Sequence, residues 1–425
     1  MRSHNMTLNL PAIRAHFPAL TSEAIYFDNP GGTQVPNQTI DRMVDYLVTM
    51  NANVGAAFST SRASDKLIED TRQSMAMFIN AVHPDEIVFG PNMTSLTFAL
   101  SRTLAWEFER GDEIIVTHLD HDANITPWTI IAEERGCNVR WLDFDVEDCT
   151  LQLDQLETLL SNRTKLVAVG YASNAVGTIN PVAKIVELAH EAGALCFVDA
   201  VQYAPHGPID VRQLGCDFLV VSAYKFFGPH IGVLYGKFEH LERLKAYRVR
   251  PAPEKPPGKF ESGTKNHEGI AGALGCLEYL SDLGTRYGSE HVERYEGDLQ
   301  SRRLPFEQAM SAIRAYEMEL SRALIDTLGT IPGLTIWGIT DSKELDRRVP
   351  TVSFTMQGRH PREVADKLGE AGIYVWDGNY YALAVTERLG LEDRGGMVRV
   401  GLVHYNTVEE IARLGEVLEE IARKE

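Results

Sequence analysis

Between about Asp85 and Gly236, short apolar runs alternate with longer stretches whose apolar residues recur every three or four positions. The runs Glu86–Phe89, Glu113–Val116, Leu166–Val169, Leu195–Val198 and Phe218–Val221 predict buried strands. Helical spacing predicts helices over Thr94–Phe108, Thr126–Arg135 and Val182–Ala192. Nearly uninterrupted apolar strands separated by helices imply a largely parallel sheet covered on both faces, with function at the strands' carboxyl ends. After about Gly284 the pattern changes. A long charged helix with interruptions is expected over Arg286–Met318, then Ser321–Leu328, then alternating strands and helices to the C-terminus. The expected organisation is an N-terminal segment 1–24 packing with the small domain, a large domain 25–283 and a small α+β domain 284–425. Pro251–Pro257 reads as an ordered crossover or a flap, and Met1–Thr7 as a dispensable leader.

Composition narrows the class. The chain has 425 residues, 44% apolar and 24% charged, as an ordinary globular protein does. With 41 basic against 59 acidic side chains its formal charge is −18, which repels nucleic acid and anionic membranes as partners. No apolar run approaches membrane-span length and no signal-peptide pattern opens the chain, so cytoplasmic residence is the default expectation. The five cysteines (Cys137, Cys149, Cys196, Cys216, Cys276) are odd in number and unpaired in spacing, which reads as reduced thiols rather than disulfides or zinc.

Candidate chemistry sits at the strand ends. The run Phe218–Val221 stops at Ser222, and Lys225 follows among aromatics before Gly228-Pro229. Burial there would lower the lysine's pKa and make it a usable amine nucleophile for Schiff-base chemistry, although in isolation a surface lysine after a buried strand is the better reading. Asp199 closes the preceding run. An acid for a pyridinium nitrogen and a lysine for an imine are the two groups that pyridoxal phosphate (PLP) chemistry most needs. Upstream, Gly90-Pro91-Asn92-Met93-Thr94-Ser95 opens a helix, a place for a phosphate or simply an N-cap. In Thr117–Trp128, an imidazole could stack on a flat heteroaromatic ring. A divalent-metal reading of His118, Asp120 and His121 lacks further ligands, so no metal is expected and His118 reads as structural. Asn174 and Gln202 could reach a ring oxygen, and Ser222 adds a hydroxyl. The order along one sheet is phosphate, stack, oxygen, nitrogen, oxygen, imine.

With these residues in place, the chain resembles the class V aminotransferase-fold PLP enzymes, in their cysteine desulfurase and selenocysteine lyase branch. The resemblance rests on Tyr26-Phe27-Asp28-Asn29, His121-x-Ala123-Asn124-x-x-Pro127-Trp128, Ser173-Asn174-x-x-Gly177-Thr178, Asp199-Ala200-x-Gln202, Ser222-x-x-Lys225-x-x-Gly228-Pro229 with Gly232-Val233-Leu234-Tyr235, Phe260-Glu261-Ser262-Gly263-Thr264 and Arg399-Val400. It implies a fold type I PLP-dependent transferase fold, an α/β large domain with a mostly parallel sheet plus a smaller α+β domain. It implies Lys225 as the imine lysine, Asp199 at the pyridine nitrogen, His121 over the ring, Asn174 and Gln202 near the ring oxygen, and Met93, Thr94 and Ser222 at the phosphate. Arg399 is implied for the substrate carboxylate, with Asn29 and Tyr381 nearby. The Gly263-Thr264 loop is implied to cross to a partner's phosphate, hence a homodimer.

Two departures qualify the expectation. Tyr381 falls about where that branch carries its sulfur-accepting cysteine, and no cysteine follows Cys276. Tyr224 stands where the branch has histidine. A phenol forms no persulfide, so the expected activity is β-elimination on an α-amino acid, with C–S cleavage of a cysteine derivative as its leading form. Transamination and epimerisation share the scaffold and remain open, as does a PLP-binding regulator without turnover. The triad Lys225, Asp199 and Arg399 speaks against the last, since a scaffold needs no carboxylate clamp.

Overall fold

The computed structural model describes residues 8–288 and 303–423. The leader expected at Met1–Thr7, and part of the long helix expected over Arg286–Met318, lie outside them.

Seven strands form the main sheet, in the spatial order Ile87–Gly90, Gly232–Gly236, Phe218–Ser222, Leu195–Asp199, Thr164–Gly170, Glu113–Thr117, Asn138–Leu142. Gly232–Gly236 runs antiparallel to both neighbours, and the remaining pairings are parallel. Alternation along each strand divides its side chains between two cores. Ile114, Val116, Leu166, Ala168, Phe197, Phe218 and Val220 pack with the helices Met93–Leu104 and Thr126–Arg135. Ile115, Val167, Val169, Cys196, Val198, Leu219 and Val221 pack with Val182–Glu191 and His267–Tyr287 on the opposite face. The apolar runs are continuous because both faces are covered.

The expected strands are all present, most of them longer by a residue or more, and Asn138–Leu142 joins them as an edge strand. Its sequence Asn-Val-Arg-Trp-Leu carries polar residues, as a half-covered edge permits. The helix His267–Tyr287 runs straight through the boundary expected at residue 283, because Leu277, Leu280 and Leu283 continue one buried stripe. A second helix spans Leu304–Gly329.

The small domain is a four-stranded antiparallel sheet, in the order Trp376–Gly378, Met397–Gly401, Thr351–Met356, Leu334–Trp337. The N-terminal segment binds both halves rather than the small domain alone. Phe17 is 1% exposed and meets Phe227 and Tyr279 of the large domain as well as Tyr405. The strand Ile25–Tyr26 pairs in parallel with Ile373–Tyr374, so the tie to the small domain extends beyond residue 24. Among the described residues, no helix is long and apolar enough to cross a membrane.

Candidate active site

A cavity of about 510 Å³ opens where the carboxyl ends of the parallel strands face the small domain. Lys225, Asp199, His121, Asn174, Gln202, Met93, Thr94, Tyr381 and Arg399 all line it. Residues separated by most of the chain therefore meet at one place, as the strand-end argument requires.

Lys225 closes a short 3-10 turn (Ala223–Lys225) just after the strand Phe218–Ser222. Its Nζ donates to the Pro30 carbonyl and, at 3.0 Å, to the Gly31 carbonyl, and it lies 4.6 Å from the centre of the Tyr224 ring. Burial, reinforced by Arg399, lowers Lys225 to about 7, outweighing the attraction of Asp28 and Asp199. The amine is therefore substantially uncharged at neutral pH. The Pro30 carbonyl comes this close because Gly401 packs against the proline ring, where any Cβ would collide.

Asp199 ends its strand 8% exposed, and Oδ1 accepts from Val201 N at 2.9 Å. Burial raises it to about 6 despite that bond and Lys225. Asp120, which the sequence reading did not assign, also faces the cavity. Its Oδ1 accepts from Gly170 N and its Oδ2 from Asn124 Nδ2, each at 2.8 Å, and burial raises it to about 7. An acid just past a strand end, next to His121, was the signal that could have found it. His121 Nδ1 accepts from Ala123 N at 3.0 Å, and burial with nearby Lys225 and Arg399 lowers the ring to about 4. The imidazole is neutral at physiological pH, a flat apolar surface rather than a cation.

At the anion end, Asn92 caps the helix Met93–Leu104, its Oδ1 accepting from Ser95 N at 2.8 Å. Ser222 Oγ accepts from Met93 N at 3.0 Å, tying the lysine's strand to the helix start. Gly232 lets the adjacent strand pass against Asn92, whose backbone a Cβ would strike. The Thr94 hydroxyl touches only the Met93 thioether at 3.4 Å, a poor partner that a phosphate oxygen would replace.

Other expected residues are engaged differently. Asn174 Nδ2 donates to the Tyr380 carbonyl at 2.9 Å, and its Oδ1 is buried without a partner. Gln202 Nε2 donates to Thr351 Oγ1 at 3.0 Å. Both expected ring-oxygen donors thus also brace the small domain. Asn29 does not line the cavity. Its Nδ2 holds Tyr26 O, Gly401 O and Asn406 Oδ1 while its Oδ1 accepts from Tyr405, so this buried amide knits the N-terminal turn to the last strand. Thr264 is exposed and does not line its own chain's cavity. His118, expected to be structural, stacks on Trp141 at 4.6 Å.

Arg399 is 4% exposed on its strand. Nη2 pairs with Asp28 at 3.1 Å, Nη1 donates to Asn174 O at 3.0 Å, and Nε is buried without a partner. A guanidinium with a spare donor in a closed cavity suits a carboxylate. Tyr380 lies under it, ring centre 4.4 Å away. No cysteine lines the cavity, and burial raises the pKa of every one of the five thiols, Cys149 and Cys216 to about 12.

Comparison with known proteins agrees with this geometry. The family model for aminotransferase class-V matches residues 25–305 and 302–414. The aminotransferase-like protein FGM3 of Gibberella zeae is 34% identical over 97% of this chain and 98% of its own. A cysteine desulfurase of Enterobacter sp. is 33% identical over 96% of this chain and 97% of its own. Among solved structures, the apo cysteine desulfurase from Thermococcus onnurineus NA1 superposes with a TM-score of 0.86 at 29% identity, covering 100% of both chains.

Proposed function

The chain belongs to the aminotransferase class-V family as a PLP-dependent, cysteine desulfurase-like enzyme, and from that premise we propose that it is a lyase cleaving the C–S bond of an S-substituted cysteine without forming a persulfide. The observation that carries this reading is the pairing of a near-neutral amine at Lys225 with a cavity to which no thiol contributes.

The residues present fit the cofactor. Met93, Thr94 and Ser222 would hold its phosphate, Asp199 its ring nitrogen, His121 its ring face and Lys225 its aldehyde carbon. When bound, PLP supplies an electron sink for the bond made labile at the substrate's Cα. Arg399 orients the substrate by its carboxylate, using the Nε donor that has no partner among the described residues. Lys225, with its lowered pKa, takes the Cα proton. The neutral His121 and the buried ring of Tyr380 keep water from this step. In the net reaction the Cα–H and Cβ–S bonds break and sulfur leaves with the bonding pair as a thiolate that takes up a proton. Water then converts the remaining three carbons to pyruvate and ammonium.

A homodimer with Gly263-Thr264 serving the partner's phosphate is supported by the exposure of Thr264 and its absence from the lining of its own cavity. The five free thiols are in keeping with a cytoplasmic site of action. Borohydride reduction followed by peptide mass spectrometry should place the pyridoxyl label on Lys225. Incubation with S-alkyl and S-aryl cysteines should release equimolar pyruvate and thiol. A keto acid that retains sulfur, or inversion at Cα without product release, would replace elimination by transamination or epimerisation.

A further inference from the structure

The segment Asn379-Tyr380-Tyr381, whose two tyrosines line the cavity, has an uncommon conformation. Tyr380 and Tyr381 have φ of 57° and 58°, two successive left-handed residues that are not glycine. Such a pair persists only when its surroundings hold it. Here Asn174 Nδ2 takes the Tyr380 carbonyl at 2.9 Å, and Asp122 N takes the Tyr381 carbonyl at 2.7 Å. Asn379 completes the clasp, its Oδ1 accepting from Tyr381 N at 3.1 Å and its Nδ2 donating to Glu392 at 3.1 Å. Both anchors on the large domain flank His121 or line the same cavity.

The clasp fixes two rings on opposite duties. Tyr380, 5% exposed, lies under Arg399, while Tyr381, 74% exposed, stacks on His121 with ring centres 5.7 Å apart and planes 19° from parallel. Trp376, 53% exposed, stands on the same rim. Phe98, Pro127 and Val201 add apolar surface to the same cavity that Lys225 and Arg399 line. An amino acid held in this cavity by Arg399 through its carboxylate has that apolar and aromatic lining available to its side chain.

We propose that Tyr381 is a specificity-determining residue, clasped over His121 so that with Trp376 it selects amino acids bearing a large apolar or aromatic β-substituent over small polar ones. This rests on the lyase reading and names its substrate class, S-aryl- or S-benzyl-type cysteines rather than cysteine itself. Stacking and apolar burial supply the preference, and the Tyr381 hydroxyl is not required for it.

Binding without turnover tests the proposal. α-Methylphenylalanine and 2-aminoisobutyrate lack a Cα–H and are titrated into the holoenzyme by calorimetry. The wild type should bind the aromatic ligand about tenfold or more tightly. Tyr381→Phe should keep that ratio, and Tyr381→Ala should bring it to within about threefold. Trp376→Ala, an independent change on the same rim, should also reduce it. A ratio unaffected by Tyr381→Ala in protein of wild-type thermal midpoint would overturn the proposal. The lyase reading fails separately: absence of pyruvate and thiol from every cysteine derivative rejects elimination, while the calorimetric ratio still decides on Tyr381.

Discussion

Arg399 Nη2 lies 3.1 Å from Asp28 Oδ1, joining the strand Met397–Gly401 to the turn after the strand Ile25–Tyr26. The guanidinium side chain is 4% exposed and the carboxylate 25%, so the pair stands between a surface and a fully buried bridge. Asp28→Asn should lower unfolding stability by about 1–3 kcal/mol, read from thermal or denaturant unfolding. Arg399→Lys keeps the charge but loses the fork, and should raise KM for amino acid about tenfold or more while changing kcat less. An unchanged KM would remove Arg399 from carboxylate binding.

Cofactor capture should follow the state of Lys225. Imine formation needs the free amine, and a pKa lowered to about 7 makes that form increasingly abundant as pH rises through neutrality. The rate at which apoprotein takes up PLP should rise from pH 6 and level off by about pH 8. A rate still climbing tenfold per pH unit between 8 and 9 would mean an ordinary lysine. Lys225→Ala should bind the cofactor without a reducible covalent link.

Turnover should be indifferent to thiol reagents. Four of the five cysteines are buried, Cys137 is partly exposed with its pKa raised by burial, and none lines the cavity. Iodoacetamide on the folded holoenzyme should modify Cys137 alone by mass spectrometry, with kcat within about twofold of untreated enzyme. Stoichiometric loss of activity on alkylation would restore a cysteine to the mechanism.

Asp217 should govern part of the acid limb of stability. Burial opposes its ionisation, but hydrogen bonds from His240, Lys237, His190 and Cys196 N outweigh this and hold its pKa well below the usual carboxylate range. A carboxyl lowered on folding stabilises above its unfolded pKa of about 3.9, and the contribution is lost as pH falls below that value. Asp217→Asn should therefore cost on the order of 2–4 kcal/mol at pH 7, with a smaller penalty at pH 3.5. Equal penalties at the two pH values would contradict this account.

Much of the site was legible because strand ends are local events. The apolar period fixes where each strand stops, and the residues just beyond it (His121, Asn174, Asp199, Lys225) must face one edge of a parallel sheet. Asn29 went astray because an asparagine in a motif looks the same whether it meets a ligand or, as here, Tyr26 O, Gly401 O and Asn406. Helix His267–Tyr287 passes residue 283 without a break because it has one uninterrupted buried stripe.

Local spacing along the chain sets the alternating α/β order, the two-sided burial of the strands, and the succession of polar groups from Thr94 to Lys225, since each depends on side-chain period and turn chemistry within a few residues. The Asp28–Arg399 pair, 371 positions apart, the left-handed clasp that sets Tyr381 on His121, and the lowering of Lys225 toward neutrality arise from the folded arrangement alone. Those outcomes follow from desolvation and from contacts made when distant segments close on one another, quantities that local spacing does not contain.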